Sequence, residues 1–170
     1  FLDPGHTWVR VLAGGLARVG LDDFLAGALG RVDRVELPPQ GRVVGRGEPL
    51  LTLWQGDRSA VVRSPLSGAV VFSNEAWLAP SSDRAGDLAG DPYGAGWLCE
   101  IQPTSLSAVV RALRVAEDAR DWLRLEVERF RELLLSRRPA AALGTVLPDG
   151  GLPARGVLEE LDRETWDAFV

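Results

Sequence analysis

The amino-acid sequence predicts an α+β protein in which a short-stranded β domain, residues 1–104, is followed by a helical extension, residues 105–170. Three observations predict it. Up to about Pro103 the chain runs in short alternating apolar and polar stretches, broken by Gly and Pro roughly every 8–12 residues, as in a sandwich or barrel-like sheet. One stretch in this half, Leu21 to Gly30, has helical character instead. From Leu106 onward the apolar residues recur at three- and four-residue steps, the period of one helix face.

Residues 5–12, GHTWVRVL, alternate as a strand, Gly14 and Gly15 make a turn, and Leu16 to Gly20 returns. In the helical stretch Asp22 or Asp23 can cap the N-terminus, and Gly30 stops it. Arg31 to Leu37 alternates as a strand that ends at Pro38-Pro39. Arg42 to Val44 and Pro49 to Leu53 are further strands, separated by Gly45-Arg46-Gly47. That glycine pair lacks the strand–helix setting of a phosphate loop. The stretch Leu53 to Val71, LWQGDRSAVVRSPLSGAVV, then reads as two strands about a tight turn, with a second turn at Ser64 to Gly68. Gly56-Asp57 is a hairpin signal, because Gly supplies the positive φ that a two-residue turn needs. The tip displays Asp57 and Arg58.

Pro80 to Asp87 is a polar loop, Asp91 to Gly94 a turn, and Trp97 to Ile101 a closing strand. Leu106, Val109, Val110, Leu113, Ala116, Ala119, Leu123, Val127, Phe130 and Leu134 form one apolar stripe. The stripe predicts a long helix capped near Ser105 or Ser107 and ended by Pro139, with a break near Asp118 to Asp121 as the alternative. Pro148 to Gly151 is a turn, and Asp162 can cap a last helix through Phe169.

Composition bounds the function. The 170 residues are 46% hydrophobic and 25% charged, an ordinary soluble balance. No stretch approaches the ~20 apolar residues of a membrane span, so no membrane partner and a cytoplasmic location are expected. The net charge of −5 argues against nucleic acid. The chain opens on Phe1 without Met and shows no signal peptide, which suggests a piece of a longer chain. A single Cys, Cys99, excludes an internal disulfide and a Cys-rich metal centre, and in a strand it is expected to act as a small buried hydrophobe. The single His, His6, has no company for a metal site and is expected to be structural, beside Trp8. No catalytic set and no metal site emerge, so the chain is not expected to be an enzyme. All nineteen basic residues are Arg. The 170 residues therefore offer no side-chain amine for an amide-linked cofactor, a Schiff base or a phosphate-loop lysine.

Trp54 flanks the hairpin tip. It either packs across the hairpin, where aromatics are at home, or contacts a partner, since Trp and Arg are enriched at binding hot spots. Asp91 and Tyr93 read as turn chemistry, and the acidic pairs Asp22-Asp23 and Glu159-Glu160 as capping or solvated residues.

Several of these stretches occur together in a familiar order. Leu29-Gly30, Val35 to Pro38, Gly47-Glu48, Ser64 to Gly68, Asn74-Glu75 and Asp91 to Trp97, opened by His6-Thr7-Trp8, resemble the glycine cleavage H-protein family over roughly residues 5–102. The resemblance implies a lipoyl-type β-barrel, a barrel-sandwich hybrid, with helical additions. It also implies a lipoyl group on a lysine at a hairpin tip, whose dithiolane shuttles an aminomethyl group between enzymes. In the family pattern that lysine lies eight residues before the proline of the Pro-x-Ser-Gly turn, which is Asp57 here, and the glutamate three residues before it is Trp54. An amide needs an amine, so neither lipoyl nor biotin is expected, and no other cofactor.

The sequence is accordingly read as a non-lipoylated H-protein-like module that works through protein–protein contacts, as a scaffold or regulatory subunit. The alternatives are a true aminomethyl carrier, as the resemblance implies, and a small-ligand-binding domain. The expected partners are unidentified proteins, glycine-cleavage or other lipoyl-system enzymes among them. Trp54, Asp57 and Arg58 form one candidate contact surface. Leu123 and Phe130 form another, on the far half of the long helix, where a homo-oligomer would also meet; the first half, through Ala116, is expected to dock on the β domain.

Overall fold

A computed structural model describes residues 1–78, 88–137 and 154–169. The predicted loop at Pro80 to Asp87, the turn at Pro148 to Gly151 and the helix stop at Pro139 lie outside the described residues.

Among the described residues nine strands and four α-helices follow in chain order. They are β1 (Leu2–Asp3), β2 (Thr7–Val11), β3 (Ala17–Leu21), α1 (Asp23–Leu29), β4 (Arg34–Glu36), β5 (Val43–Val44), β6 (Pro49–Gln55), β7 (Arg58–Arg63), β8 (Gly68–Ser73), β9 (Trp97–Pro103), α2 (Leu106–Ala112), α3 (Ala116–Arg137) and α4 (Arg163–Phe169). The strands form two antiparallel sheets. One has six strands in the order β1-β2-β3-β9-β8-β5, the other three in the order β4-β6-β7. This curled, antiparallel half-barrel with a few helices is a lipoyl-type α+β fold.

Alternation decides which faces meet. In β7, Ala60 and Val62 point inward while Ser59, Val61 and Arg63 point out. In β6 both Leu50 and Leu51 are buried, which strict alternation forbids; a bulge between Pro49 and Leu51 lets both turn inward. Val19, Val70 and Ile101 from the larger sheet share one apolar cluster with Val35, Leu53 and Val62 from the smaller. Gly68 and Gly30 are among the glycines that permit close approach. A Cβ on Gly68 would run into the Gln102 carbonyl of β9 and lie 2.7 Å from Ile101 Cγ2. A Cβ on Gly30, whose φ is +69°, would strike Glu159 and lie 2.5 Å from Gly156 Cα.

The long apolar stripe does not form one helix. Ser105 caps α2 as expected, through the Ala108 N–H at 3.3 Å, but the chain then becomes extended at Leu113. Arg114 exchanges two main-chain hydrogen bonds with Leu2, at 2.9 and 2.8 Å, and Ala116, the first residue of α3, takes φ +50°. The break falls before Asp118 to Asp121, because β1 offers an unpaired edge there and strand pairing outweighs local helix preference. The far half of the stripe also differs from expectation. Phe130 is 1% exposed and Leu134 is fully buried in the chain's own core, with Leu123 packed against it. Phe130 meets the Phe24 ring edge-on, with centroids 5.8 Å apart. Phe24 of α1 and the C-terminal residues Val157, Leu158, Leu161 and Trp166 belong to the same cluster as these α3 side chains. One apolar cluster thus takes side chains from both sides of residue 104.

Candidate functional site

The β6–β7 hairpin projects from the three-stranded sheet. Gln55 pairs with Arg58 across it, leaving Gly56-Asp57 as the two-residue turn. Gly56 adopts φ +61°, as the first central residue of a primed turn must. The Asp33 carboxylate, on the connection into β4, accepts the Gly56 N–H at 2.6 Å. Sequence and tertiary structure thus agree on the tip.

The surroundings of the tip come from far along the chain. Arg58 donates from Nη1 to the carbonyls of Leu158 and Leu161, both at 3.0 Å, and from Nη2 to the Glu159 carbonyl at 3.2 Å and to Gln55 Oε1 at 3.3 Å. Its guanidinium also lies 5.7 Å from the Trp166 ring centre. A planar fork with five donors suits a cluster of carbonyls at the end of a helical turn, where main-chain acceptors lack partners. Those carbonyls belong to the 3₁₀ turn Val157–Glu160 and the residue after it. Gln55 in turn donates Nε2 to the Leu29 and Arg31 carbonyls, at 2.7 and 2.8 Å. The C-terminal turn is tied to the same corner: the Gly156 N–H donates to the Gly27 carbonyl at 2.8 Å, and the Glu159 carboxylate accepts the Arg31 N–H at 2.7 Å.

Asp57 itself stays open. Its side chain is 82% exposed and faces Arg163 Nη1 at 3.4 Å. A pair this exposed is screened and contributes little. Trp54 lies one strand-face away, half-buried, with Ser59 opposite it in β7 and Arg34 opposite it in β4. The Arg34 guanidinium lies 4.7 Å from its ring centre. The structure therefore places Trp54, Asp57 and Arg58 on one hairpin but gives them different surroundings: Arg58 is committed inward, Trp54 is packed across strands, and Asp57 faces solvent.

The other singled-out residues lie elsewhere. His6, at φ +56°, sits between Phe24 and Trp122, at 5.4 and 5.1 Å between ring centres, and its Nδ1 is 2.9 Å from Asp22 Oδ2. Asp22, fully buried, uses its other oxygen to cap α1 by accepting the Leu25 N–H at 2.8 Å. Tyr93 donates its hydroxyl to Asp23 Oδ1 at 2.9 Å; burial, and then the neighbouring aspartates, push its pKa upward. Asp91 builds its turn by accepting the Gly94 and Ala95 N–H groups at 3.0 and 2.7 Å. Burial, then the Glu100 charge, push the Cys99 thiol up to about 12, which keeps it protonated. Among the described residues no group of three or more His, Cys, Asp or Glu side chains could hold a metal ion, and no helix is long and apolar enough to cross a membrane.

Sequence reasoning missed the partners of the tip: Leu158, Glu159, Leu161, Arg163 and Trp166. Asp162 did announce α4, and it caps that helix by accepting the Thr165 N–H at 2.8 Å. Nothing in a local pattern says where such a helix docks.

Comparison with known proteins is direct. Residues 2–126 match the family model described as "Glycine cleavage H-protein". The chain is 34% identical to a probable glycine cleavage system H protein of Pyrococcus abyssi, over 70% of its own length and 85% of the relative's. It is 35% identical to glycine cleavage system H protein 4 of Aquifex aeolicus, over 75% of this chain and 71% of that one. Among solved structures it is similar to a glycine cleavage system H protein from Mycobacterium marinum, with 30% identity and a TM-score of 0.56, covering 71% of this chain and 91% of that one. These matches overturn the expectation of a scaffold or regulatory subunit set apart from the carriers: the relatives are named as H proteins outright, across most of the chain.

Proposed function

The chain belongs to the glycine cleavage H-protein family, and on that premise we propose that it acts as the H-protein of a glycine-cleavage-type system, the aminomethyl-carrier component. The observation that carries this reading is the match over residues 2–126, which takes in the whole barrel and the displayed hairpin. Proteins of this kind carry a group between catalysts and are not catalysts themselves. The partners in this reading are the other proteins of the system.

The residues at the tip do not fit the family's lipoyl amide. Position 57 carries a carboxylate facing Arg163, and the 170 residues contain no lysine at all. These side chains therefore support no step through a lysine-bound lipoyl group.

The test is a reconstituted glycine cleavage assay run with and without a lipoylated H-protein. In the presence of that protein, an excess of this chain is expected to compete, raising its apparent KM several-fold. No effect at a large excess would overturn the reading. Turnover in its absence would show a carried group held elsewhere than on a lysine of these residues.

A further inference from the structure

A protein that grips the hairpin tip has to use residues 54–58, since these are what the turn projects. Much of that surface is already in use. Arg58 is committed to three carbonyls of the C-terminal segment, Gln55 to the end of α1 and to Arg58, and Asp57 faces Arg163 of the same segment. The family match ends at residue 126, so the segment lies beyond it while the hairpin lies within it. The segment is also built to stay. Leu158 is fully buried and Trp166 is 2% exposed, Glu159 closes on the Arg31 N–H, and Gly30 and Gly156 approach so closely that there is no room for a Cβ on Gly30.

We propose that the segment from Ala154 to Trp166 is a resident, autoinhibitory occupant of the hairpin's flank, taking up contacts that proteins gripping the tip would use and so hindering their access to position 57. The proposal rests on the H-protein reading for the identity of those proteins. Its chemistry is specific. The seat takes a helical turn whose carbonyls face the Arg58 fork, together with an acid for the Arg31 N–H and two large apolar side chains. A displacing partner has to offer the same set.

The experiment supplies the missing amine and asks who can reach it. Asp57→Lys is made in the full chain, alone and together with Leu158→Ala, which loosens the segment without touching the hairpin. Each is incubated with lipoate–protein ligase, lipoate and ATP beside a lipoylatable H-protein, and lipoyl uptake is followed by intact mass. Hydrogen exchange at the Arg31 amide reports the segment, and at β3 and β9 the barrel. Asp57→Lys alone is expected to be labelled slowly, and the double variant at least tenfold faster. The proposal is overturned if Asp57→Lys alone keeps pace with the lipoylatable control, or if the double variant is no faster although its Arg31 amide exchanges freely. Should Leu158→Ala unfold the barrel, Glu159→Ala, which removes the acceptor of the Arg31 N–H, takes its place: faster uptake supports the proposal, and unchanged uptake with a freely exchanging Arg31 amide overturns it. Labelling that speeds up while even the double variant fails to compete in the glycine cleavage assay keeps the occupant and removes the H-protein reading; competition by the full chain without any speeding-up does the reverse.

Discussion

Two of the chain's glycine hairpins, between β2 and β3 and between β6 and β7, could hardly differ more in what surrounds them. Between β2 and β3, Gly14 and Gly15 adopt φ +87° and +86°, and a Cβ on either would meet nothing within 4 Å. The bond that closes that turn, Leu12 N–H to the Leu16 carbonyl at 2.8 Å, is local. Between β6 and β7, Gly56 solves the same backbone problem in the same way, yet the residue after the turn, Arg58, bonds to carbonyls 100 and 103 positions away. Turn chemistry makes a hairpin and says nothing of its use. The use is written in the tertiary contacts of the residues beside the glycine.

That contrast can be broken or sharpened by substitution. The largest effect is expected from Leu158→Ala, a fully buried site at the second hairpin, which should lower unfolding free energy by about 2–5 kcal/mol in denaturant titration. A loss near zero would mean that the C-terminal segment does not pack as described. Arg58→Gln comes next, at about 1–3 kcal/mol, because it strands carbonyls that a charged donor now satisfies. The corresponding flank of the first hairpin has no such partner among the described residues, so Leu12→Ala and Leu16→Ala should fall well short of Leu158→Ala in the same titration. Gly14→Ala and Gly56→Ala serve as the control: both force an L-residue to positive φ, and both should cost about 1–2 kcal/mol, equal within error. A much larger loss at Gly56 would mean that the tip's backbone, and not only its side chains, is held from outside. The smallest effect is expected from Arg163→Ala, about 0–1 kcal/mol and fading with salt, since its ion pair with Asp57 is exposed on both sides.

The same contrast explains what is legible in the sequence alone. Asp22 as a cap, Gly30 as a stop, the Gly56-Asp57 turn, Ser105 and Asp162 are all signals that a residue sends to neighbours within four positions, and each holds. The half-barrel is legible because alternation and turn spacing are equally local, and because the ordered motifs resemble a known family. The signals fail where a distant segment intervenes. The stripe from Leu106 to Leu134 has helical period throughout, but Leu2 captures Arg114 and divides it. Phe130 looks free for another chain because its cover, Phe24 and the C-terminal residues, is invisible in the helix's own pattern. Sequence proximity puts His6 beside Trp8, but its ring lies against Phe24 and Trp122, one of them more than a hundred residues on. At the candidate site the sequence locates position 57 and its lack of an amine. It is silent about the segment that occupies the flank.

The ties between residues 27–31 and residues 156–159 also set a timetable. Arg31 and Glu159 are 128 positions apart. At a synthesis rate of about 5–20 residues per second, the Arg31 amide waits roughly 6–26 s before its acceptor has been made. Once residue 103 has been made, for the rest of that interval, α1 has its cap and the two sheets have all their strands, while the corner at Gly27 to Arg31 and the Arg58 guanidinium have only water. A newly made chain is therefore expected to pass through a stage in which its hairpin flank is open, and to close it last, because contacts between such distant positions carry the greatest loop-closure cost.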